Sequence, residues 1–245
     1  MSVRRIGAGR RSVREGRWGG GFAAEVVADH PLFFLRLDET SGTSMVDAMG
    51  AHNGTMTGSG FVLDQPGAVA NVDPGARSVK FTGSTYIDMA TASWMNVTGA
   101  ASWSFWLFPN ANMNNAGIFS RFGNSGGGGN DWLIWYNTSN TLEFLIRVGG
   151  VSKSLPINAP QLKTWSQVFC TYDGANQRVY TNGIEVASLA TTGNIDTNAG
   201  NLNIGGYQGT TRCLTNHFLD EVCMYDYTVT PDRVLAQFNA GLGVR

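Results

Sequence analysis

The sequence predicts an all-β sandwich with a short C-terminal helix and an extended, basic N-terminal arm. Three observations predict it. The composition is 42% hydrophobic and 14% charged, with 32 Gly against 7 Pro, which suits short strands joined by tight turns. β-Prone segments recur at regular spacing, and turn dipeptides separate several of them. A chain of 245 residues is long enough for one such domain with a substantial core.

The predicted arm spans residues 1–23, and the predicted domain spans residues 24–245. The arm is rich in Gly and Arg and has no apolar periodicity. Its candidate assembly residues are Arg4, Arg5, Arg10, Arg11, Arg14, Arg17 and Trp18. Because residues 18–245 carry 11 basic and 17 acidic side chains, arm and domain have opposite charge. The arm could pair with the domain, an acidic neighbouring subunit or nucleic acid. A protein tether is favoured over nucleic acid and over a merely solvated tail.

The strands are predicted from runs of β-branched, aromatic and aliphatic residues bounded by turn residues. Asn182-Gly183 lies between two such runs, and both residues tolerate the positive φ of a type I′ hairpin turn. The predicted strands span residues 32–37, 78–81, 86–89, 102–108, 116–122, 131–136, 141–148, 165–172, 178–181, 184–188, 202–205 and 218–225.

One helix is predicted, from Pro231 to about Asn239. Thr230 suits the N-cap, Pro231 the first helical position and Gly241 the stop. The apolar residues Val234, Leu235 and Phe238 fall at helical spacing and are expected to pack on the sandwich.

The chain shows no apolar leader and no segment long enough to span a membrane. Cys170, Cys213 and Cys223 form no metal-binding pattern. Cys213 and Cys223 could be bridged if the chain doubles back, but three free, partly buried thiols are favoured. The odd cysteine count without a leader predicts synthesis in a reducing cytoplasm.

Several segments, in order, resemble the laminin G-like (concanavalin A-like lectin/glucanase) domains of bacteria and phages. The resemblance covers roughly residues 24–241 and implies a two-sheet antiparallel jelly-roll sandwich. The matching segments are residues 31–42, 47–55, 66–68, 79–83, 165–174, 180–183 and 218–225.

The resemblance also implies one structural Ca²⁺ on one side of the sandwich, as is frequent in the family. The candidate ligands are Asp47 and Asp220, with backbone carbonyls completing the oxygen shell. In the alternative interpretation Asp47 caps its turn and Asp220 accepts backbone hydrogen bonds, without an ion. The family turn is richer in Ser and Asn than residues 48–52 of this chain, which weakens the metal interpretation.

No catalytic constellation is present in the sequence, so the protein is predicted not to be an enzyme. Glucanases of this fold present paired carboxylates on one strand, and no Glu-x-Asp-x-x-Glu run occurs here. The histidines His30, His52 and His217 lie in turn-like context, and no Gly-x-Ser-x-Gly elbow exists. The glycine run 126–129 is not followed by the Lys and helix that a phosphate loop needs.

Glycan binding is the usual non-catalytic use of the fold, and it needs aromatic side chains together with hydrogen-bonding groups. For any one of the aromatic candidates, a place in the core is the alternative. The candidates are Trp132, Trp135, Tyr136, Tyr207, Asn130, Asp131 and Arg121.

These features predict a virion-type structural protein, such as a phage head decoration, fibre or minor tail protein. It would be made in the host cytoplasm and displayed on the virion surface. Its arm would dock on other virion proteins or on a second copy, while the lectin-like domain binds host-surface glycans. The alternative is a free-standing carbohydrate-binding module, secreted or on a bacterial surface. Neither interpretation involves a membrane-spanning segment.

Overall fold

The computed structural model describes residues 21–122, 130–207 and 211–244. The assembly residues of the predicted arm and the glycine run 126–129 lie outside the described residues. The strands are β1 Phe33–Leu35, β2 Ser44–Met45, β3 Gly54–Thr57, β4 Val62–Pro66, β5 Arg77–Thr82, β6 Tyr86–Met89, β7 Ala101–Pro109, β8 Ala116–Phe122, β9 Asn130–Tyr136, β10 Thr141–Val148, β11 Val151–Asn158, β12 Ser166–Tyr172, β13 Asn176–Thr181, β14 Ile184–Ala190, β15 Leu202–Ile204, β16 Gly206–Tyr207, β17 Arg212–Cys213 and β18 Thr215–Tyr225. The α-helices are α1 Phe22–Ala28 and α2 Pro231–Leu242, and Ser93–Met95 is a single 3₁₀ turn.

The strands form two large antiparallel sheets, as predicted. Sheet A has the order β14-β13-β12-β7-β18-β5-β4, and β1 also pairs with β18. Sheet B has the order β11-β10-β9-β8-β15-β6-β3-β2. A two-stranded ribbon, β16-β17, accompanies them. The architecture is a jelly-roll sandwich, so the predicted fold class is confirmed.

The main core lies between the sheets and contains alternate residues of their strands. Trp103 of sheet A meets Trp132 of sheet B at a ring-centroid distance of 5.2 Å. Phe105 and Phe144 are equally buried in this layer. Because side chains alternate across a strand, the residues between these positions point to the outer faces.

A second apolar layer covers the outer face of sheet A. Trp106 of β7 packs edge-to-face on Phe22 of α1, with centroids 6.0 Å apart, and stacks on Phe238 of α2 at 6.0 Å. Phe169 of β12 and Tyr225 of β18 are buried in the same layer. The central strands of sheet A are thus buried on both faces, which explains why every residue of β12 is buried.

Helix α1 corrects the predicted end of the arm. Phe22 and Ala23 were predicted to be extended, yet they lie in α1 and are buried. A seven-residue helix is not stable alone, and α2 holds it in place. Arg233 of α2 forms ion pairs with Glu25 at 2.7 Å and Asp29 at 2.9 Å. These partners are about 200 residues apart in sequence, so the local pattern could not predict the helix.

Helix α2 begins as predicted but ends later. Thr230 is the N-cap residue and Pro231 the first helical residue. The predicted stop, Gly241, lies inside the helix, and Gly243 ends it at φ 75°. Gly241 is instead a close-contact residue, because an added Cβ would lie 2.6 Å from the Trp106 ring.

The Asn182-Gly183 hairpin is confirmed, with φ values of 53° and 78°. It joins β13 to β14. The favoured state of the cysteines is also confirmed, because Cys170, Cys213 and Cys223 are buried thiols that form no disulfide with one another. Within the residues that the structure describes, no helix is long and apolar enough to cross a membrane.

Candidate functional site

The outer face of sheet B is the broad surface that the helices leave open. Both α-helices of the described chain pack on the outer face of sheet A instead. A cross-strand row on the outer face of sheet B runs across seven strands from β3 to β11. Its residues are Thr55, Asp88, Asn203, Ser120, Leu133, Leu145 and Ser154. Trp135 of β9 and Glu143 of β10 are cross-strand neighbours beside this row.

An aromatic and polar cluster surrounds Trp135, which is partly exposed. The Tyr207 ring lies edge-on to the Trp135 ring, with centroids 5.6 Å apart. The Arg212 guanidinium lies 5.2 Å from the Tyr207 ring centroid, and its Nη1 donates to the Tyr207 hydroxyl at 2.6 Å. Asn115 Oδ1 accepts from the Tyr207 hydroxyl at 2.9 Å and also from Arg212. We call Trp135, Tyr207, Arg212 and Asn115 the tryptophan cluster.

The β16-β17 ribbon brings Tyr207 and Arg212 onto this face. It approaches β8 closely because Gly117 has no side chain; an added Cβ would lie 2.5 Å from the carbonyl carbon of Gly206. Ser120 Oγ donates to the Gly206 carbonyl at 3.0 Å. The ribbon therefore rests on β8 as a ridge across the outer face of sheet B.

Two aromatic candidates from the sequence are core residues, and their assignment to sugar binding was wrong. Trp132 and Tyr136 point inward because they alternate with Trp135 along β9, and their exposure is 0% and 1%. Trp132 packs edge-to-face on Phe119 at 5.2 Å. Neither ring can stack on a sugar without opening the sandwich.

Arg121 and Asp131 form a buried ion pair at 2.8 Å, which likewise removes both from the sugar-binding candidates. Burial raises the pKa of Asp131 to about 6, against the lowering effect of Arg121. The remaining Arg121 hydrogen bonds hold two loops, through acceptors on Met95, Asn96, Asn198 and Gly200. The pair thus has a structural role. The backbone of Asn130 begins β9, and its side chain lies outside the described part of the chain.

The carboxylate of Asp47 does not fit a calcium site, contrary to that interpretation. Each of its two oxygens accepts two backbone hydrogen bonds at 2.8–3.0 Å. The donors are the N–H groups of Phe34, Met49, Ala51 and His52. A cation at these oxygens would be repelled by the positive ends of the four N–H dipoles that point at them. Asp47 therefore holds its turn in place through hydrogen bonds.

Asp220 fits a calcium site no better. It is fully buried, and one of its oxygens accepts from the Ala68 N–H at 2.7 Å. Burial raises its pKa well above the ordinary range, and the neighbouring Glu221 adds to the shift. In the described residues, no three acidic, His or Cys side chains converge as a metal site would require.

A second polar group on the outer face of sheet B was not among the sequence candidates. Asp88 accepts hydrogen bonds from Asn203 Nδ2 at 2.8 Å and from Asn201 Nδ2 at 3.0 and 3.1 Å. Strand alternation marks Asp88 and Asn203 as outward-facing. Their pairing could not be predicted, because the register of β6 and β15 is not local in sequence.

Comparison with known families identifies the chain. The Laminin_G_3 family model, described as the concanavalin A-like lectin/glucanases superfamily, matches residues 81–235. The protein belongs to this superfamily. The match confirms the resemblance inferred from the sequence. It covers β6 to β18 in full, and so includes the tryptophan cluster and the polar group around Asp88.

Several solved structures share the sandwich fold of this chain. The binding domain of botulinum neurotoxin serotype G has a TM-score of 0.62 at 15% identity, with 85% of this chain and 50% of that chain covered. Domain 4 of an extracellular GH43 arabinanase from Geobacillus stearothermophilus, in complex with arabinotriose, has a TM-score of 0.59 at 14% identity. The alignment covers 84% of this chain and 97% of that domain. A sialidase of Trypanosoma rangeli has a TM-score of 0.62 at 13% identity, and the alignment covers 85% of this chain and 32% of the sialidase chain. This chain thus spans half of the neurotoxin chain and a third of the sialidase. At these identities the likeness shows the fold alone. No curated protein sequence matches the chain.

Proposed function

We propose that the protein is a non-catalytic, lectin-like module that binds carbohydrate on the outer face of sheet B. The observation that carries the proposal is the partly exposed Trp135 with Tyr207, Arg212 and Asn115 on the sheet face that the helices leave open. The partly exposed Trp135 ring, supported by the buried Tyr207 and bordered by guanidinium, amide and carboxylate groups, suits the apolar faces and hydroxyls of sugars. The arabinanase domain of the same fold was solved with arabinotriose, which supports this use of the fold.

The positions of the carboxylates support binding without hydrolysis. Glycoside hydrolysis needs two carboxyl groups roughly 5–9.5 Å apart. Asp88 and Glu143 face outward from strands that are four positions apart in sheet B, about 19 Å at ordinary strand spacing. The acid pair Asp220-Glu221 is buried, so it cannot reach a sugar.

A glycan array tests the proposal with matched tryptophan variants. Trp135→Ala should abolish or strongly weaken the binding that wild-type protein shows. Trp165→Ala is the control, because Trp165 is also partly exposed but packs on Phe108 and Phe218 of sheet A. Wild-type protein that binds no glycan, or a Trp135→Ala variant that binds normally, would refute the proposal.

We further propose a virion-type role, in which residues 1–20 dock on another structural protein or a second copy. The chain enters the described domain at Gly21, immediately before α1, and α1 packs on the outer face of sheet A. The arm therefore joins the domain beside the outer face of sheet A, whereas the proposed sugar-binding surface is on sheet B. The predicted location is the virion surface.

Light scattering on full-length protein and on a variant without residues 1–20 separates this role from the alternative. The deletion stops before the buried Phe22, so the second apolar layer stays intact. An oligomer that becomes monomeric without the arm supports docking. A monomer in both cases favours a free-standing surface or secreted carbohydrate-binding module.

A further inference from the structure

We infer that Asp88, Asn201, Asn203 and Tyr86 form a second carbohydrate subsite, so that the outer face of sheet B binds an extended oligosaccharide rather than a single sugar. We call these four residues the aspartate cluster. The inference rests on the proposed function and specifies the length of its ligand.

The aspartate cluster is pre-organised. Asn201 donates to both Asp88 oxygens, and its own Oδ1 accepts from the Thr91 N–H at 3.0 Å. Asn203 is 8% exposed and donates to Asp88 Oδ1 at 2.8 Å. These bonds fix the orientation of the carboxylate, so little conformational entropy is lost when a ligand binds.

Among the described residues, no cationic side chain lies beside the Asp88 carboxylate. Over the described residues, no Lys, Arg or His nitrogen lies within 4.0 Å of its oxygens, although ten other such pairs occur. A carboxylate offers more acceptor positions than the three amide hydrogen bonds fill. Since Asp88 is partly exposed, the remaining positions are open to donors from solvent. Two adjacent sugar hydroxyls are donors of suitable spacing for a carboxylate.

Tyr86 adds an aromatic side chain to the cluster. It lies two residues before Asp88 on the same face of β6 and is partly exposed. Burial and the charge of Asp88 raise its pKa, so its hydroxyl stays protonated and can donate. Exposed Thr55 is the cross-strand neighbour of Asp88 on β3. Together with Thr55, the cluster therefore offers an apolar ring, a carboxylate acceptor and two hydroxyl groups.

The distance between the two clusters follows from the strand order of sheet B. Asp88 on β6 and Trp135 on β9 are three strand positions apart, about 14 Å at ordinary strand spacing. The β16-β17 ridge rests on β8 between them. On one side of the ridge Tyr207 contacts Trp135. On the other side Gly206 approaches Tyr86, and a Cβ added to Gly206 would lie 3.1 Å from the Tyr86 Cβ. A single sugar ring cannot contact both clusters, whereas a chain of a few sugars can.

The test measures affinity as a function of chain length. The probes are neutral oligosaccharides, in homologous series from disaccharide to hexasaccharide, titrated by calorimetry against full-length protein. Wild-type affinity should rise as the chain becomes long enough to reach the second cluster. Asp88→Asn should weaken the longest probes about tenfold, the effect of losing one hydrogen bond to a charged group, and should leave the short probes unchanged. Asn203→Ala should act in the same direction, since Asn203 positions the carboxylate.

The control is Asp226→Asn, an exposed aspartate just after β18 of sheet A. Thermal unfolding checks that each variant is folded. If wild-type protein binds and Trp135→Ala abolishes binding, but Asp88→Asn keeps the wild-type length dependence, the second subsite is refuted and the proposed function stands. If wild-type protein binds none of the probes, both are refuted.

Discussion

Arg36 binds the buried carboxylate of Glu221 through two nitrogens, with Nη2 at 2.8 Å and Nε at 3.2 Å from Oε1. Glu221 is fully buried and lies at the bulge of β18 with φ 52°. The residues are 185 positions apart in sequence, so the ion pair fixes the first strand of the domain against its last. Asp38 and Asp73 approach the same guanidinium, at 3.3 and 2.7 Å.

The first prediction concerns this ion pair. Arg36→Met should lower the free energy of unfolding by about 3–5 kcal/mol, because it leaves Glu221 buried and uncompensated. The double variant Arg36→Met, Glu221→Met should be less destabilised than Arg36→Met alone. Urea unfolding checks both, and equal stability of the single and double variants would contradict the argument.

Asp220 gives a prediction on how stability changes with rising pH. Burial raises its folded-state pKa, with a further contribution from Glu221. The stabilisation from its neutral form is complete below the unfolded-state pKa of about 3.9 and is lost as the pH rises through the folded-state value. Asp220→Asn stays neutral, so wild-type protein should lose stability relative to this variant as the pH increases. Urea unfolding over a pH series measures the difference, and a pH-independent difference would show that the native pKa is not raised.

Asp47 gives a prediction on metal dependence. Its oxygens are occupied by four N–H donors, so EDTA should not shift the thermal unfolding midpoint of wild-type protein. Asp47→Ala should lower the free energy of unfolding by at least about 2 kcal/mol through the lost hydrogen bonds. Added Ca²⁺ should not restore it. A midpoint that falls with EDTA and recovers with Ca²⁺ would establish a structural calcium site after all.

The strands were predictable where the pattern is local. β6, β8 and β10 begin and end at the predicted residues, because alternation and flanking turns define them. β2, β3 and β4 were missed because they are short and polar. They form through backbone pairing with other strands, which a short polar segment does not reveal.

The candidate site was predictable in part. Trp135 and Tyr207 were among the candidates, but β9 carries large apolar side chains on both faces, so alternation alone could not distinguish Trp135 from Trp132. Arg212 joins Tyr207 through the pairing of β17 with β16, and Asn115 joins it through the packing of this ribbon on β8. Such cross-strand contacts have no signature in a single sequence.

Gly241 yields a prediction on helix packing. Gly241→Ala should lower the free energy of unfolding by about 1–3 kcal/mol, the usual cost of overpacking, because its Cβ would lie 2.6 Å from the Trp106 ring. Gly99→Ala is the matched control, since no atom lies within 4 Å of an added Cβ there. Equal effects of the two substitutions would indicate that α2 moves away from sheet A at little cost.

His217 yields a prediction on acid pH. It is fully buried, its Nδ1–H donates to the Thr215 carbonyl at 2.7 Å, and its ring packs on Tyr136 with centroids 5.5 Å apart. Nε2 has no hydrogen-bond partner in the described part of the chain. Burial lowers the pKa of His217, because a second proton would place an uncompensated charge in the core.

The sign of the effect follows from that lowered pKa. The stabilisation is complete above the unfolded-state value of about 6.5 and is lost as the pH falls through the folded-state value. His217→Gln should therefore make stability less sensitive to acid below about pH 6.5, even if its stability at neutral pH is lower. His30→Asn is the control, because His30 is exposed and Asn tolerates its φ of 50°. Urea unfolding across this pH range measures the free energy of unfolding of all three proteins. If it depends on pH equally in His217→Gln, His30→Asn and wild-type protein, the acid sensitivity comes from other groups.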